Sequence, residues 1–256
     1  MNGQVRDIEG NIKKTIKLGD VFNTIYRPAL ISKVVAASQS IQKQPQGRDP
    51  MAGKRTSAIG LGVGRGQARL PRVKGAGTRA AGAGIFAPMA VGGRLAQPPR
   101  TNKVLFKKVN KKEKALAFDS AIAATTNIQL VKGRGHLIEG LETPLLIFDD
   151  KIQTVKKTRT LIDLLEKVGL TEELKRAGTR HIRAGKEKRR GKKYKGSKGP
   201  LIVAERLGIH DAARNIPGVD VIPLGNLCVE HLAPGGQAGR LVIWSESAIN
   251  ALTERK

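Results

Sequence analysis

From Pro50 to Lys112 the chain contains no aspartate or glutamate. The wider stretch Lys43–Lys103 holds twelve Gly, six Pro and twelve Lys/Arg against a single acid, Asp49. Ordering the backbone costs roughly 1–2 kcal/mol per residue, and a segment this poor in apolar side chains cannot offset that by burial. Sequence of folded character lies on both sides, so the segment is an insertion within a domain and not a frayed tail. Its like charges repel one another. A polyanion would supply both the shape and the missing charge, which points to nucleic acid.

The rest of the chain agrees with that reading. Among 256 residues, 47 Lys/Arg stand against 21 acids, a formal charge of +26. Removing the insertion leaves about 195 residues, enough for one good core. The expected organisation is an N-terminal arm and helix over residues 1–42, an extended basic loop over 43–103, and the remainder of the domain over 104–256. That remainder carries a second basic loop at about 175–199. No apolar run approaches the ~20 residues of a spanning helix, and the opening MNGQVRDIEGN lacks a signal-peptide pattern, so no membrane role is expected. A single cysteine, Cys228, excludes an internal disulfide framework and fits a reducing cytoplasm. His136, His181, His210 and His231 are scattered without ligand spacing, so neither a metal nor a cofactor is expected.

Loose alternation around Gly10 and Gly19 in residues 4–26 predicts a small hairpin or extended arm. A helix follows with Pro28 in its first turn and a stripe of Leu30, Val34, Ala37 and Ile41. Beyond the insertion, Asn110 and Glu113 mark the start of a second helix that buries Leu116, Phe118, Ala121 and Ile122. These two helices bracket the insertion at its root. Four short apolar runs then read as strands: Pro144–Phe148, Leu201–Ala204, Val219–Ile222 and Leu241–Trp244. Each is followed by a helical segment: Thr158–Val168, Gly208–Asn215, Asn226–Leu232 and Glu246–Leu252, the last capped by Ser245. A shorter turn of helix begins at Thr171. Repeated β-α units imply a three-layer α/β/α domain on a parallel sheet of about four strands. Between Lys175 and Lys198 lie twelve Lys/Arg and one acid, Glu187. A solvated, mobile loop is the plain reading of such a run, but beside the first insertion phosphate contact fits better. The candidate contacts are Lys188, Arg189, Arg190, Lys192 and Lys193, and Tyr194 could stack on a base.

Several motifs suggest nucleotide chemistry and fail on inspection. Five residues separate Gly47 from Gly53 in GRDPMAGKRT where a phosphate-cradling loop needs four, and Arg55 stands where a hydroxyl should bind magnesium. Gly75-Ala-Gly77-Thr-Arg-Ala80 lacks the preceding strand and the later acid of a dinucleotide fingerprint. Asp149 and Asp150 are adjacent on or after a strand and point to opposite faces, which suits capping better than acid–base work. His210-Asp211 and Glu230-His231 are sequence neighbours on presumed helices and do not face each other. No catalytic residue is expected. The glycines of Gly60-Leu-Gly62-Val-Gly64-Arg-Gly66 instead permit close backbone approach, with Arg65, Arg69, Arg72, Lys74 and Arg79 interleaved for phosphate.

Two long stretches carry a resemblance. GLGVGRGQARLPRVKGAGTRAAGAGIFAPMAVGGR, from Gly60, and NIPGVDVIPLGNLCVEHLAPGGQAGRLVIWSESAI, from Asn215, resemble the archaeal form of the large-subunit ribosomal protein four family. The similarity runs essentially end to end. The chain stops at Lys256 without the long C-terminal extension of eukaryotic members, which favours an archaeal source. The resemblance implies a cytoplasmic, structural, non-enzymatic constituent of the large ribosomal subunit that binds its 23S-type rRNA and supports assembly. It implies that the loop tip, Gln67, Arg69, Leu70, Pro71, Arg72 and Val73, lines the polypeptide exit tunnel, touching nascent polypeptide and neighbouring ribosomal proteins. Lys54, Arg55, Arg65, Lys74, Arg79, Arg94 and Arg100 would clamp phosphates along the loop arms. The rival expectations are an RNA-binding regulator acting outside the ribosome and, from another class, a nucleotide-dependent RNA enzyme.

Overall fold

The apolar runs read as strands pair with one another in parallel. In the computed structural model, which describes residues 1–141 and 143–254, the strands are β1 (Asn2–Arg6), β2 (Ile12–Lys17), β3 (Ile59–Gly60), β4 (Pro71–Arg72), β5 (Leu145–Phe148), β6 (Arg180–Ile182), β7 (Tyr194–Gly196), β8 (Leu201–Ala204), β9 (Asp220–Pro223) and β10 (Val242–Ser245). The α-helices are α1 (Pro28–Ile41), α2 (Lys111–Thr125), α3 (Ile128–Gly133), α4 (Thr158–Lys167), α5 (Thr171–Gly178), α6 (His210–Ala213), α7 (Val229–Leu232) and α8 (Glu246–Glu254). The main sheet runs β2-β1-β5-β10-β8-β9. Its four central and outer strands β5, β10, β8 and β9 are parallel, and β1 joins β5 in parallel as well. The N-terminal arm is thus a hairpin, with β2 antiparallel to β1, and it widens the expected four-stranded sheet to six.

Alternation along β10 divides the core into two. Val242 and Trp244 pack with Ile147, Leu201 and Val203 against residues of α1, α2, α7 and α8. Leu241 and Ile243 pack with Leu146, Phe148 and Ile202 against Leu161, Leu164 and Leu165 of α4 and Ala212 and Ala213 of α6. Successive side chains point to opposite faces of a strand, so a continuous apolar run is what a sheet covered on both sides requires. The result is the three-layer α/β/α arrangement. Trp244 is fully buried and meets Phe22 edge to face, with ring centroids 6.0 Å apart.

Helix ends follow local chemistry. α4 closes at Gly169, whose φ of +95° accepts the left-handed turn. There Gly169 N donates to Glu166 O and Leu170 N to Leu165 O, satisfying carbonyls that the helix leaves open. Ser245 caps α8, accepting from Ala248 N at 3.3 Å. Two helix faces differ from expectation. α1 buries Ile31, Val34, Val35, Ala37 and Ser40, while Ile41 is largely exposed. α2 buries Ala117, Ser120, Ala121 and Ile122 through Thr125 but leaves Leu116 exposed. The α2 stripe is mostly small residues and the α1 stripe mixes Ile31, Val34 and Val35 with Ala37 and Ser40, so the buried face follows what each helix packs against and not the bulk of single side chains. Asn110 has the extended backbone of a cap but its side chain makes no capping bond. Glu113 pairs with Lys33, which together with the Asn110 backbone N–H holds its carboxyl below the usual range. Arg27 N donates to Ser120 Oγ, and Lys107 N to the buried Ser40 Oγ, so the chain leaves and re-enters the domain between two pinned helices.

Two buried charge clusters were not anticipated. Arg240, 1% exposed, donates to Gly199 O, His231 O and the Asp220 carboxylate, tying the starts of β8 and β9 to the end of α7. Glu173, fully buried, accepts from the His136 ring at 2.6 Å, from Leu137 N and from the Arg176 guanidinium. Burial by itself would raise the Glu173 carboxyl, but the hydrogen bonds from Arg176 and His136 hold it at about 2. Burial lowers the His136 imidazole, with Glu173 opposing. Both groups therefore favour the native state above their unfolded values, and that stability is lost as pH falls through the folded ones. Glu173→Gln should destabilise the purified chain by about 1–3 kcal/mol at pH 7, since it removes the charge that the partly exposed Arg176 guanidinium pairs with and disturbs a fully buried hydrogen-bonded site. Urea unfolding between pH 7 and pH 3 should show the wild type losing stability on acidification more steeply than the variant. Equal slopes would contradict the assignment.

Candidate nucleic-acid interface

Residues 41–106 form one compact unit and residues 1–40 with 107–256 the other. In the first of these, Ala87 is the one buried residue among those described. Sixty-odd residues with a single buried side chain have no core, so turns and backbone bonds set the shape. β3 pairs antiparallel with β4, Ile59 opposite Arg72. Val73 N donates to Ala83 O and Ile85 N to Pro71 O, which sets a second arm on the other edge of β4. The chain therefore reverses twice, over 61–70 and over 74–82. Lower in the unit its two arms touch through glycine: a Cβ on Gly93 would lie 2.0 Å from Ala87 O, and one on Gly53 2.6 Å from Gly93 itself. A side chain at Gly53 would force the arms apart, and one at Gly93 would break the local turn that begins at Ala87.

The residues singled out at the tip fall on both sides of the first reversal. Gln67 and Arg69 are exposed in the turn, whereas Leu70, Pro71, Arg72 and Val73 are half-buried at or beside β4. Gln67, Arg72 and Val73 line one open cavity with Lys74, Ile59 and Leu61. Arg72 donates to Gly82 O at 2.8 Å, bracing the second reversal from inside. Among the arm cations, Arg65, Lys74, Arg79 and Arg100 are exposed and Lys54 is half-buried; none of these five has an ion pair among the described residues. Arg55 is paired with Asp49, and its guanidinium holds that carboxyl below the usual range. Arg94 sits 6.0 Å from the centre of the Phe86 ring.

The second basic stretch is an ordered ribbon. β6 and β7 pair antiparallel, Arg180 opposite Gly196, His181 opposite Lys195 and Ile182 opposite Tyr194. Arg183 continues the ladder, its N donating to Lys193 O. A tight helical turn over Lys186–Arg190 and the left-handed Gly191 (φ +82°) close the ribbon. Lys188, Arg189, Arg190, Lys192 and Lys193 are all exposed there, without an ion pair among the described residues. Arg180, Lys186 and Lys195 are equally exposed on the ribbon and were not singled out from sequence, although the same charge run contains them.

The expectation that His210 and Asp211 do not face each other fails, since His210 Nδ1 lies 3.5 Å from the exposed Asp211 carboxylate; the other acids that suggested catalysis are occupied structurally. Asp149 accepts from Lys13, and Asp150 accepts from Ser247 N and Oγ at the start of α8. Glu230 accepts from Ser38 Oγ, while His231 Nδ1 accepts from Cys228 N. Gly53, Gly75 and Gly77 lie in turns with positive φ and not between a strand and a helix.

The fold is a three-layer α/β unit with a basic ribbon and a coreless cationic insertion, and Asp149, Asp150 and Glu230 are engaged in internal bonds. The description "Ribosomal protein L4/L1 family" matches residues 16–255. The chain is 47% identical over 256 residues to the large ribosomal subunit protein uL4 of Methanoregula boonei, covering 100% of both chains. It is 46% identical to the uL4 protein of Methanosphaera stadtmanae, covering 97% of this chain and 95% of that one, and 43% identical to that of Methanococcus vannielii, with both chains fully covered. The chain belongs to the ribosomal protein L4/L1 family, in its archaeal type, and is a structural ribosomal constituent.

Brief trypsin treatment of the purified, RNA-free chain should cut first at Arg65, Arg69, Lys74 and Arg79 and at the ribbon turn near Lys188–Lys193. A large fragment spanning β8 to α8 should persist. Peptide mass mapping over time reads the order; uniform resistance along the chain would contradict a unit without a core.

Proposed function

We propose that this chain is built into the large ribosomal subunit as a scaffold that binds its rRNA through the insertion and the β6/β7 ribbon. We also propose that Gln67–Val73 lines the polypeptide exit tunnel. One observation carries the reading: the unit 41–106 combines twelve cations, one acid and one buried residue. Such a unit gains its order by neutralising a partner's charge, because it has no apolar interior to draw on. The relatives support the location, since each is named a large ribosomal subunit protein. The arm cations Lys54, Arg65, Lys74, Arg79 and Arg100 take phosphates, and Arg94 does so beside Phe86. Arg55 joins them by exchanging Asp49 for phosphate. On the ribbon Lys188, Arg189, Arg190, Lys192 and Lys193 act likewise. The protein works in the cytoplasm among neighbouring large-subunit proteins, with the nascent polypeptide passing the tip. It catalyses nothing; its contribution is shape and charge.

Two measurements test this. Changing Lys188, Arg189, Arg190, Lys192 and Lys193 together to Gln should leave thermal unfolding unchanged and reduce the slope of log affinity against log salt for large-subunit rRNA by about 3–5. An unaltered slope would remove the ribbon from the interface. Deleting Gly62–Gly84 should leave the α/β unit folded while disturbing late subunit assembly and nascent-chain passage in ribosome profiling. Normal assembly and passage would refute the tip assignment.

A further inference from the structure

The β6/β7 ribbon has two faces of different chemistry. Residues opposed across an antiparallel pair project to the same side, and neighbours along a strand to opposite sides. One face therefore presents Arg180, Ile182 and Tyr194 next to the bare backbone of Gly196; the other presents His181 with Lys195 and Arg183 with Lys193. Ile182 is 64% exposed and Tyr194 55%. An isoleucine and a tyrosine set side by side normally cover a core, yet here neither face of the ribbon is covered. The ribbon's one carboxylate, Glu187, lies 3.5 Å from Arg183 and leaves the surrounding cations unbalanced. Lys193 Nζ curls to 5.4 Å from the centre of the Tyr194 ring, bringing charge to the apolar side.

We propose that this platform takes one unpaired nucleobase of single-stranded RNA, stacked on the Tyr194 ring with its edge against Ile182. The adjoining phosphates lie on Lys193, Arg180 and the cations of the turn. The inference rests on the RNA-binding reading above and assigns a contact that phosphate attraction alone does not require. A protein partner fitting the same apolar pair would have to desolvate the cations around it, whereas a nucleotide strand neutralises them as the base seats. Every base offers a π face, so the site is tolerant of sequence and selective for bases freed from pairing. The phenol hydroxyl plays no part.

The test uses the full-length chain and two probes: a uridine decamer with one central 2-aminopurine, and a duplex RNA of equal length. 2-Aminopurine fluorescence falls when the base stacks. Wild-type protein should quench it, and Tyr194→Phe should quench it equally. Tyr194→Ala should abolish the quench and weaken decamer binding roughly ten- to a hundredfold. The salt slope should not change, because the phosphate contacts remain, and duplex binding should be unaffected. An unchanged quench in Tyr194→Ala, or loss of the quench in Tyr194→Phe, overturns the stacking site while leaving the RNA-binding reading intact. Failure of the wild type to bind either RNA overturns that broader reading instead.

Discussion

Insertion of the last strand, β10, between β5 and β8 is the constraint on which the α/β unit depends. Without it β2, β1 and β5 share no edge with β8 and β9, and the sheet falls into two unconnected pieces. Its side chains also serve both layers: Val242 and Trp244 fill one core, Leu241 and Ile243 the other. The Trp244 layer includes α1 and α2, the helices that pin the root of the insertion through Ser40 and Lys107. The geometry of the exit and re-entry points therefore rests on a strand made some 130 residues after the chain has re-entered the domain.

Charge is distributed as unevenly as apolar surface. The domain engages its acids internally: Asp149 with Lys13, Glu113 with Lys33, Glu246 with Lys14, Glu173 with Arg176, and Asp220 with both Lys198 and Arg240. The insertion has only Asp49 and the ribbon only Glu187, each matched to one arginine. The exposed pairs among these contribute little individually, unlike those that involve the buried Glu173 and Arg240. Their consequence is a division of labour. The α/β unit approaches local neutrality where it packs, and the excess positive charge accumulates in segments that have no core to protect.

How much of this was legible depends on which force shaped each element. The parallel strands could be read because burial on both faces demands unbroken runs such as LLIF and LIVA, and α4 because its leucines recur at helical spacing before Gly169. The stripes of α1 and α2 are legible in part: Val34, Ala37, Ala121 and Ile122 are buried as expected, while Ile41 and Leu116 face solvent and Ser40 and Ser120 are buried in their stead, because small polar residues give no local sign of burial. β6 and β7 were hidden among cations: Arg180-His181-Ile182 and Tyr194-Lys195-Gly196 have no buried face to impose a pattern. The clusters around Glu173 and Arg240 were invisible for another reason. His136 and Glu173 are 37 residues apart, and Gly199 and Arg240 are 41 apart. Nothing local in either segment announces its partner.

Composition alone determined that one stretch of the chain must look outside itself for order, because no burial term there can offset its entropy and no acid can offset its charge. The order of the apolar residues determined the layered α/β class, through runs too short for helices and too continuous for one-sided strands. Tertiary structure decided the strand order, the faces of α1 and α2, the pairing that turns a run of cations into a two-faced ribbon, and which acids lie at the surface or in the interior. Those depend on contacts between residues far apart in the chain, whose energies exist only once the backbone has brought them together.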